Sequence, residues 1–502
     1  MPRKNKNIKS ALRAQARENR FARKGNEQKT WVFVVRLILI GLLVLALGGS
    51  LFLGIFASAY SLPLPEAQAT RALQTAAEKE HYLILNDFEE FPLQTGDRID
   101  GRPAESYQSV TDDLPAVEAP YAALCTRDGR ILFERNIDER VTMASTTKMM
   151  TAIVALEALP LDTQLYVTYG AAKTAGTNAG LEEGMTISLL DCLYALLLPS
   201  GNDAAVVIAQ NVAEMESRFV EMMNKKAAEL GMTSTHFEDA SGLSVCTVDE
   251  DTGAVEGHYT TVRDYMILTR YCMTNPTFRK VVSTGLYEVS VDYTTLSFKT
   301  TDMLRDFLTG PEAIGVKTGY TDEAGYCFVG AAESGGLELY TVVFNASTTD
   351  QRFIDTAELL EWGFRHYRTL ELINTTQQVA DVALLSWIDK TVAAYVPTVV
   401  RIEFFDLNGP ITQDIIINDI EGEATKGHVC GQIVWVQGGE VLMTSEIVVD
   451  KTILPPDFWE GIGIAWKRFW GGFAGDPDHA ETKILLKTEL VIPPLPQLQE
   501  EA

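Results

Sequence analysis

The sequence predicts an α+β domain in the middle of the chain and a small all-β domain after it. Three observations carry this. Strand patterns occupy residues 121–136 and 313–347, helical periodicity fills the interval between them, and residues 375–455 alternate with almost no helical period. At 502 residues the chain is too long for one ordinary domain, and its 46% hydrophobic content is that of globular protein.

In chain order, residues 1–30 form a basic tail with ten Lys or Arg against two acids. The whole chain carries -26, so the remainder carries -26 - 8 = -34. Such an acidic body repels phosphates, which excludes nucleic-acid binding. Residues 31–60 hold one charge, Arg36, and the stretch from Leu37 to Ala57 is long enough to cross a bilayer. Basic residues before it and acidic ones after it place the N-terminus in the cytoplasm and everything beyond residue 60 on the extracytoplasmic side. "ASA" at Ala57–Ala59 resembles a signal cleavage site, but the apolar run is long for a signal peptide, so an uncleaved anchor is expected.

Residues 61–118, with twelve acids, four bases and five prolines, are expected to form an extended acidic spacer. From residue 119 the body begins. "YAALCTRDGRILFERN" reads as a hairpin turning at Asp128-Gly129. Helices are expected over 146–158, 186–198, 203–213, 216–229 and 260–273, then three strands over 313–347 and a helix over 350–367, which closes the unit near residue 370. The all-β domain spans 371–456. In residues 457–475, Phe458, Trp459, Ile462, Trp466, Phe469, Trp470 and Phe473 recur at helical spacing, which predicts an amphipathic helix lying on a membrane surface. Residues 476–502 read as a tail. The six cysteines show no CxxC and are expected to be buried free thiols.

Three short motifs carry chemistry. Ser145 and Lys148, in "MASTTKMMTA", stand three positions apart at a helix start, hence on one face. The helix dipole disfavours a cation in that turn, yet a lysine of lowered pKa there can take the proton of an adjacent serine. "LLLPSGNDAAVV" sets Ser200 and Asn202 at a break between two helices, and "GVKTGYTD" sets Lys317, Thr318 and Gly319 in a strand. Each alone is a weak signal. Together, in the order S-x-x-K, S-x-N, K-T-G, they form the set found in penicillin-binding proteins and class A β-lactamases.

On these motifs the chain resembles the serine D-alanyl-D-alanine carboxypeptidases, the low-molecular-mass penicillin-binding proteins. The similarity extends through "ELGMTSTHFEDASGL", "HYTTVRDY", "VKTGYTDEAGYCFVGAA", "LLEWGFRHY" and "KGHVCGQIVWVQGGEVLMTSEIVVDKTI", covering roughly residues 119–474. The resemblance implies a penicillin-binding/β-lactamase-like catalytic domain, an antiparallel sheet with helices on both faces, with the small all-β domain and amphipathic anchor after it. The N-terminal anchor and acidic spacer depart from that pattern, and "ASGL" lacks a histidine often seen before Gly-Leu.

The resemblance further implies that Ser145 is the nucleophile, Lys148 the general base and Ser200 a proton relay. Asn202 would hold the substrate backbone, Lys317 would supply positive charge behind Ser200, and Thr318 with Arg352 would bind the terminal carboxylate. Backbone N–H groups of Ser145 and Tyr320 would form the oxyanion hole, and Gly319 would let substrate lie along the strand edge. The expected substrate is a peptidoglycan stem peptide, with β-lactams as covalent inhibitors. Neither metal nor organic cofactor is expected: histidines 81, 236, 258, 366, 428 and 479 lack ligand spacing. A β-lactamase would need an E-x-x-L-N carboxylate, which the interval between Asn202 and Lys317 lacks. A cross-link endopeptidase would use the same residues, and an idle wall-binding scaffold would not need the full set.

Overall fold

The computed structural model describes residues 93–248, 255–291, 294–474, 477–486 and 489–490. The basic tail, the expected membrane-spanning segment and residues 61–92 lie outside the described residues. So do residues 491–502.

The catalytic body is built on a seven-stranded antiparallel sheet. Its strands are β1 (Arg98–Ile99), β2 (Arg102–Pro103), β3 (Tyr121–Thr126), β4 (Ile131–Arg135), β5 (Glu312–Thr321), β6 (Gly325–Ser334) and β7 (Leu337–Ala346), in the spatial order β5-β6-β7-β3-β4-β1-β2. Strand β5, which carries Lys317, Thr318 and Gly319, is therefore an edge. Alternation along the strands divides the core. Ala123 and Cys125 of β3, with Tyr340, Val342 and Phe344 of β7, face one apolar cluster, while Ala122, Leu124, Leu339 and Val343 face another.

The first cluster is covered by helices α1 (Lys148–Ala158), α2 (Leu189–Leu197), α3 (Asn202–Ala213), α4 (Glu216–Leu230), α5 (Val262–Thr274) and α6 (Pro276–Val282). The second is covered by α7 (Gln351–His366) through Phe353, Ala357, Leu360 and Trp362. Helices thus lie on both faces, as the fold class requires. Local chemistry sets their ends. Ser188 accepts from the Asp191 N–H (3.1 Å) to start α2, so residues 186–188, expected as helix, instead pair as a strand with Gln164–Tyr166. Thr261 caps α5 the same way, and Asn275 with Pro276 starts α6, a helix the periodicity does not announce.

The spacer expected over 61–118 is corrected within its described part, because residues 93–118 are built into the body. Ile99 of β1 pairs with Phe133 of β4, and Asp97 forms a bidentate ion pair with Arg135 (2.9 and 2.7 Å) in which both side chains are only 1% exposed. Tyr107, Val117 and Ala119 fill the second cluster, and the Asp113 carbonyl accepts from the Trp362 indole N–H. The segment read as spacer because its anchors are few and irregularly spaced and one of them is a buried charge pair.

The β domain opens with Tyr367–Ile373 paired to Val400–Phe405. A second seven-stranded antiparallel sheet contains Ala380–Ala383, Thr391–Tyr395, Glu440–Val449, Val429–Gln437 and Ile411–Ile417 in that spatial order. Lys483–Ile484 and Glu489–Leu490 flank it, so the expected tail contributes two edge strands. Helix α8 (Phe458–Ala474) forms where the aromatic spacing predicts it, and the Arg468 guanidinium donates to the carbonyls of Leu385 (2.6 Å) and Asp478 (2.8 Å). Among the described residues no helix is long and apolar enough to cross a membrane. All six cysteines are free thiols, five of them buried and Cys246 partly so.

Candidate active site

Ser145 sits on a tight 3-10 turn, Ala144–Thr147, that runs directly into α1. Ala144 holds φ +48°, a left-handed conformation costly for a residue with a Cβ, so the surroundings must hold the turn in place. They do so through a buried relay. The His258 Nδ1 accepts from the Glu238 N–H (3.0 Å), which leaves the proton on Nε2 to donate to the Thr147 hydroxyl (2.8 Å). That hydroxyl donates in turn to the Ala144 carbonyl (2.7 Å). Burial pulls His258 down to about 4, so the ring is neutral near pH 7. Gly242 closes the loop over the turn, and a Cβ there would stand 2.0 Å from the Ala144 oxygen.

Lys148 is 0% exposed, and its Nζ reaches Ser145 Oγ (2.9 Å), Asn202 Oδ1 (2.7 Å) and the Ser241 carbonyl (2.7 Å). Among the described residues it forms no ion pair. Burial lowers its pKa to about 7, against the weaker opposing fields of Asp239 and Asp203. The sequence argument looked to the helix dipole for this effect; desolvation is the larger cause.

Ser200 occupies the break between α2 and α3 at φ +65°, and its Oγ accepts from Lys317 Nζ (2.8 Å), which also donates to the Thr318 carbonyl (2.8 Å). Lys317 is buried. Desolvation, then the charges of Lys148 and Arg352, push its pKa well below that of an ordinary lysine. Asn202 joins the two halves of the cleft by accepting from Lys148 and donating through Nδ2 to the Ala175 carbonyl (2.8 Å).

The edge strand β5 runs along the other side of the cleft. An added Cβ on Gly319 would stand 3.1 Å from the backbone nitrogens of Ser145 and Thr146, so the glycine is needed for the strand to approach the Ser145 turn. The Thr318 hydroxyl meets that of Thr301 (2.6 Å). Arg352, buried on α7, donates through Nη1 to the Gly319 carbonyl (3.1 Å), and its Nε has no partner among the described residues. Tyr320 turns its ring outward, about half exposed, with its hydroxyl on Asp322 (2.8 Å), so only its backbone faces the cleft chemistry.

All nine residues singled out from sequence therefore gather at one cleft, between the Ser145 turn, the Ser200 break and β5. Sequence reasoning assigned no role to four supporting residues. Asp203, buried beside Asn202, accepts from the N–H groups of Ala179 (2.8 Å), Gly180 and Leu181 (3.0 Å each) and so fixes the loop bordering Asn202. Asp239 accepts from the N–H groups of Ser241, Gly242 and Ser244; burial opposes its ionisation, but the His258 ring and these bonds outweigh it and hold the carboxyl well below its usual range. His258 and Thr147 complete the relay. Asp239 and His258 fall in "FEDASGL" and "HYTTVRDY", stretches already conspicuous in sequence, whereas Asp203 directly follows Asn202. Their hydrogen-bond partners, remote in the chain, are what give them meaning.

Comparison with known proteins agrees with this geometry. The D-alanyl-D-alanine carboxypeptidase family matches residues 108–348. D-alanyl-D-alanine carboxypeptidase DacF of Bacillus subtilis is 31% identical over 357 residues, 68% of this chain and 88% of that protein. A D-alanyl-D-alanine carboxypeptidase of Streptomyces sp. strain K15 is 33% identical over 51% of this chain and 90% of its own length. A D-alanyl-D-alanine endopeptidase of Pseudomonas aeruginosa is 32% identical over 47% of this chain and 73% of its own. The chain belongs to the D-alanyl-D-alanine carboxypeptidase family and is a serine-type peptidase.

Proposed function

We propose that the protein is a membrane-anchored carboxypeptidase that removes the terminal D-alanine from peptidoglycan stem pentapeptides through an acyl-serine intermediate, and that β-lactams acylate the same serine. The observation that carries this reading is the Ser145–Lys148 contact of 2.9 Å around an amine pulled to about 7 by burial. A neutral Lys148 takes the Ser145 proton as the hydroxyl attacks the carbonyl between the two D-alanines. The Ser145 N–H and that of Tyr320 stabilise the resulting oxyanion. The approach of β5 to the Ser145 turn at Gly319 supports this pairing.

As the tetrahedral species collapses, Ser200 passes its proton to the departing amine of D-alanine and receives in its place the one that Lys148 took from Ser145, with Lys317 beside it holding the hydroxyl in place. Asn202 orients both Lys148 and the substrate backbone. Thr318 and Arg352 take the terminal carboxylate, which the Arg352 guanidinium matches in charge. Water then cleaves the acyl-serine and regenerates the enzyme. No step needs a metal or organic cofactor.

Membrane attachment through residues 31–60 places the body on the extracytoplasmic side, where its substrate lies. On α8, Phe458, Trp459, Trp466, Phe469, Trp470 and Phe473 are each more than half exposed, which supports a second contact with the membrane surface.

The test is labelled penicillin and a D-Ala-D-Ala pentapeptide applied to the full chain. A covalent adduct and D-alanine release are expected, both absent in Ser145→Ala; labelling that survives this change rejects the mechanism. A cross-linked dimer in parallel addresses the endopeptidase reading, which the Pseudomonas relative favours. Liposome flotation of the chain with Trp459, Trp466 and Phe473 changed to Ser tests α8, using protein lacking residues 1–60. Unchanged flotation rejects the second contact.

A further inference from the structure

We propose that Thr301 is a substrate-binding residue: together with Thr318 it forms a two-hydroxyl donor for the C-terminal carboxylate of the substrate. This rests on the carboxypeptidase reading above.

The two hydroxyl oxygens lie 2.6 Å apart, one on the loop preceding β5 and one on β5 itself. Each threonine brings one hydroxyl proton, and a contact this short takes up one of the two. If Thr318 donates to Thr301, Thr318 has no proton left for a carboxylate. If Thr301 donates to Thr318, the Thr318 proton is free to point into the cleft. In either order one hydroxyl proton remains for an anion, and the bond between the two hydroxyls polarises the group that donates it, so both threonines contribute to holding a carboxylate.

Position supports the role. The Thr301 N–H donates to the Leu198 carbonyl (3.1 Å), two residues before Ser200, which ties the loop to the Ser200 side of the cleft. Thr301 is exposed while Thr318 is buried, so the pair offers an open face to an incoming ligand. The adjoining carboxyl, Asp302, is turned back on its own loop and accepts from the Leu304 N–H (2.8 Å). One residue along β5, Arg352 holds the Gly319 carbonyl with Nη1 and keeps a buried Nε without a partner among the described residues. The site thus has a cation with a spare donor, and a hydroxyl pair with one proton left for an anion.

The experiment compares Thr301→Val, Thr301→Ser and the unaltered full chain on a pentapeptide ending in D-Ala-D-Ala and on the same peptide ending in a carboxamide. Benzylpenicillin and its methyl ester serve as a second pair with and without the carboxylate. Thr301→Val is expected to reduce kcat/KM for the carboxylate peptide, and the acylation rate with benzylpenicillin, by roughly 10-fold. The carboxamide and ester should change by less than about twofold, and Thr301→Ser should restore the carboxylate preference. Equal losses on both members of each pair, or no loss on either, overturn the proposal. An unaltered chain that neither releases D-alanine nor binds penicillin rejects the underlying reading instead. A melting curve for each variant separates unfolding from loss of recognition, and Thr301→Ala, for which the same selective loss is expected, carries the test if the valine variant unfolds.

Discussion

The cleft and the rest of the body bury cations in opposite ways. Away from the cleft each one meets a carboxylate: Arg135 of the catalytic sheet is held by Asp97, and His366 lies between Asp406 (2.8 Å) and Asp113 (3.1 Å). Burial lowers the His366 pKa, but the two carboxylates outweigh it and the net shift is upward. In the cleft Lys148 and Lys317 are as deeply buried, have only neutral partners among the described residues, and shift downward. The same desolvation cost is compensated by carboxylates at Arg135 and His366 and left without a counter-charge beside Ser145 and Ser200.

The strongest way to break this comparison is to remove one cation from each region. Lys148→Met should lower the rate of penicillin acylation by about 10³-fold while changing stability by less than about 2 kcal/mol, because relief of a buried amine without a counter-charge offsets the acceptors it leaves on Asn202 and Ser241. Rapid-quench labelling and chemical denaturation read the two effects. Asp97→Ala should do the reverse. Leaving Arg135 buried and unpaired should cost about 3–5 kcal/mol of unfolding free energy, with acylation of the folded fraction unchanged. A loss below about 1 kcal/mol would mean that the N-terminal segment is not part of the folded unit.

Protonation sharpens the contrast. Lys148 has a folded pKa of about 7, below its unfolded value, so between these values the unfolded chain binds more protons and stability rises with pH. His366 has a raised pKa, so its contribution is complete below about 6.5 and fades as pH rises through the folded value. Unfolding free energy measured from pH 6 to 8 should rise less steeply in Lys148→Met, Lys317 keeping the remainder, and should lose the falling contribution of His366 in His366→Gln. The acylation rate should rise across pH 7 as Lys148 becomes neutral. The smallest effect is expected at Tyr320→Phe, whose ring points out of the cleft: stability within about 0.5 kcal/mol and acylation within about twofold.

Much of the catalytic body was legible because its signals are local. Helix periodicity, the Asp128-Gly129 turn and the three motifs are each confined to a few residues, and the motifs converge because sheet order brings β5 to the Ser145 turn. What escaped depends on remote partners. Ile99 is readable as strand only beside Phe133, and Asp97 as structural only once Arg135 is buried against it. Gly319 was anticipated for the right strand but a different reason, since its missing side chain makes room for the Ser145 turn. Thr301 carries no motif at all, and only its contact with Thr318 singles it out.

The buried cysteines have a bearing on chemical durability. The thiolate is the form that oxidants and alkylating agents attack, and burial pushes Cys125 and Cys327 up to about 12 and raises Cys192 and Cys272 well above the ordinary range. The core therefore keeps these thiols reduced by denying them ionisation, with no need of a cross-link. Cys246, partly exposed and in contact with the Thr142 hydroxyl (2.9 Å), is where a thiol reagent should react first.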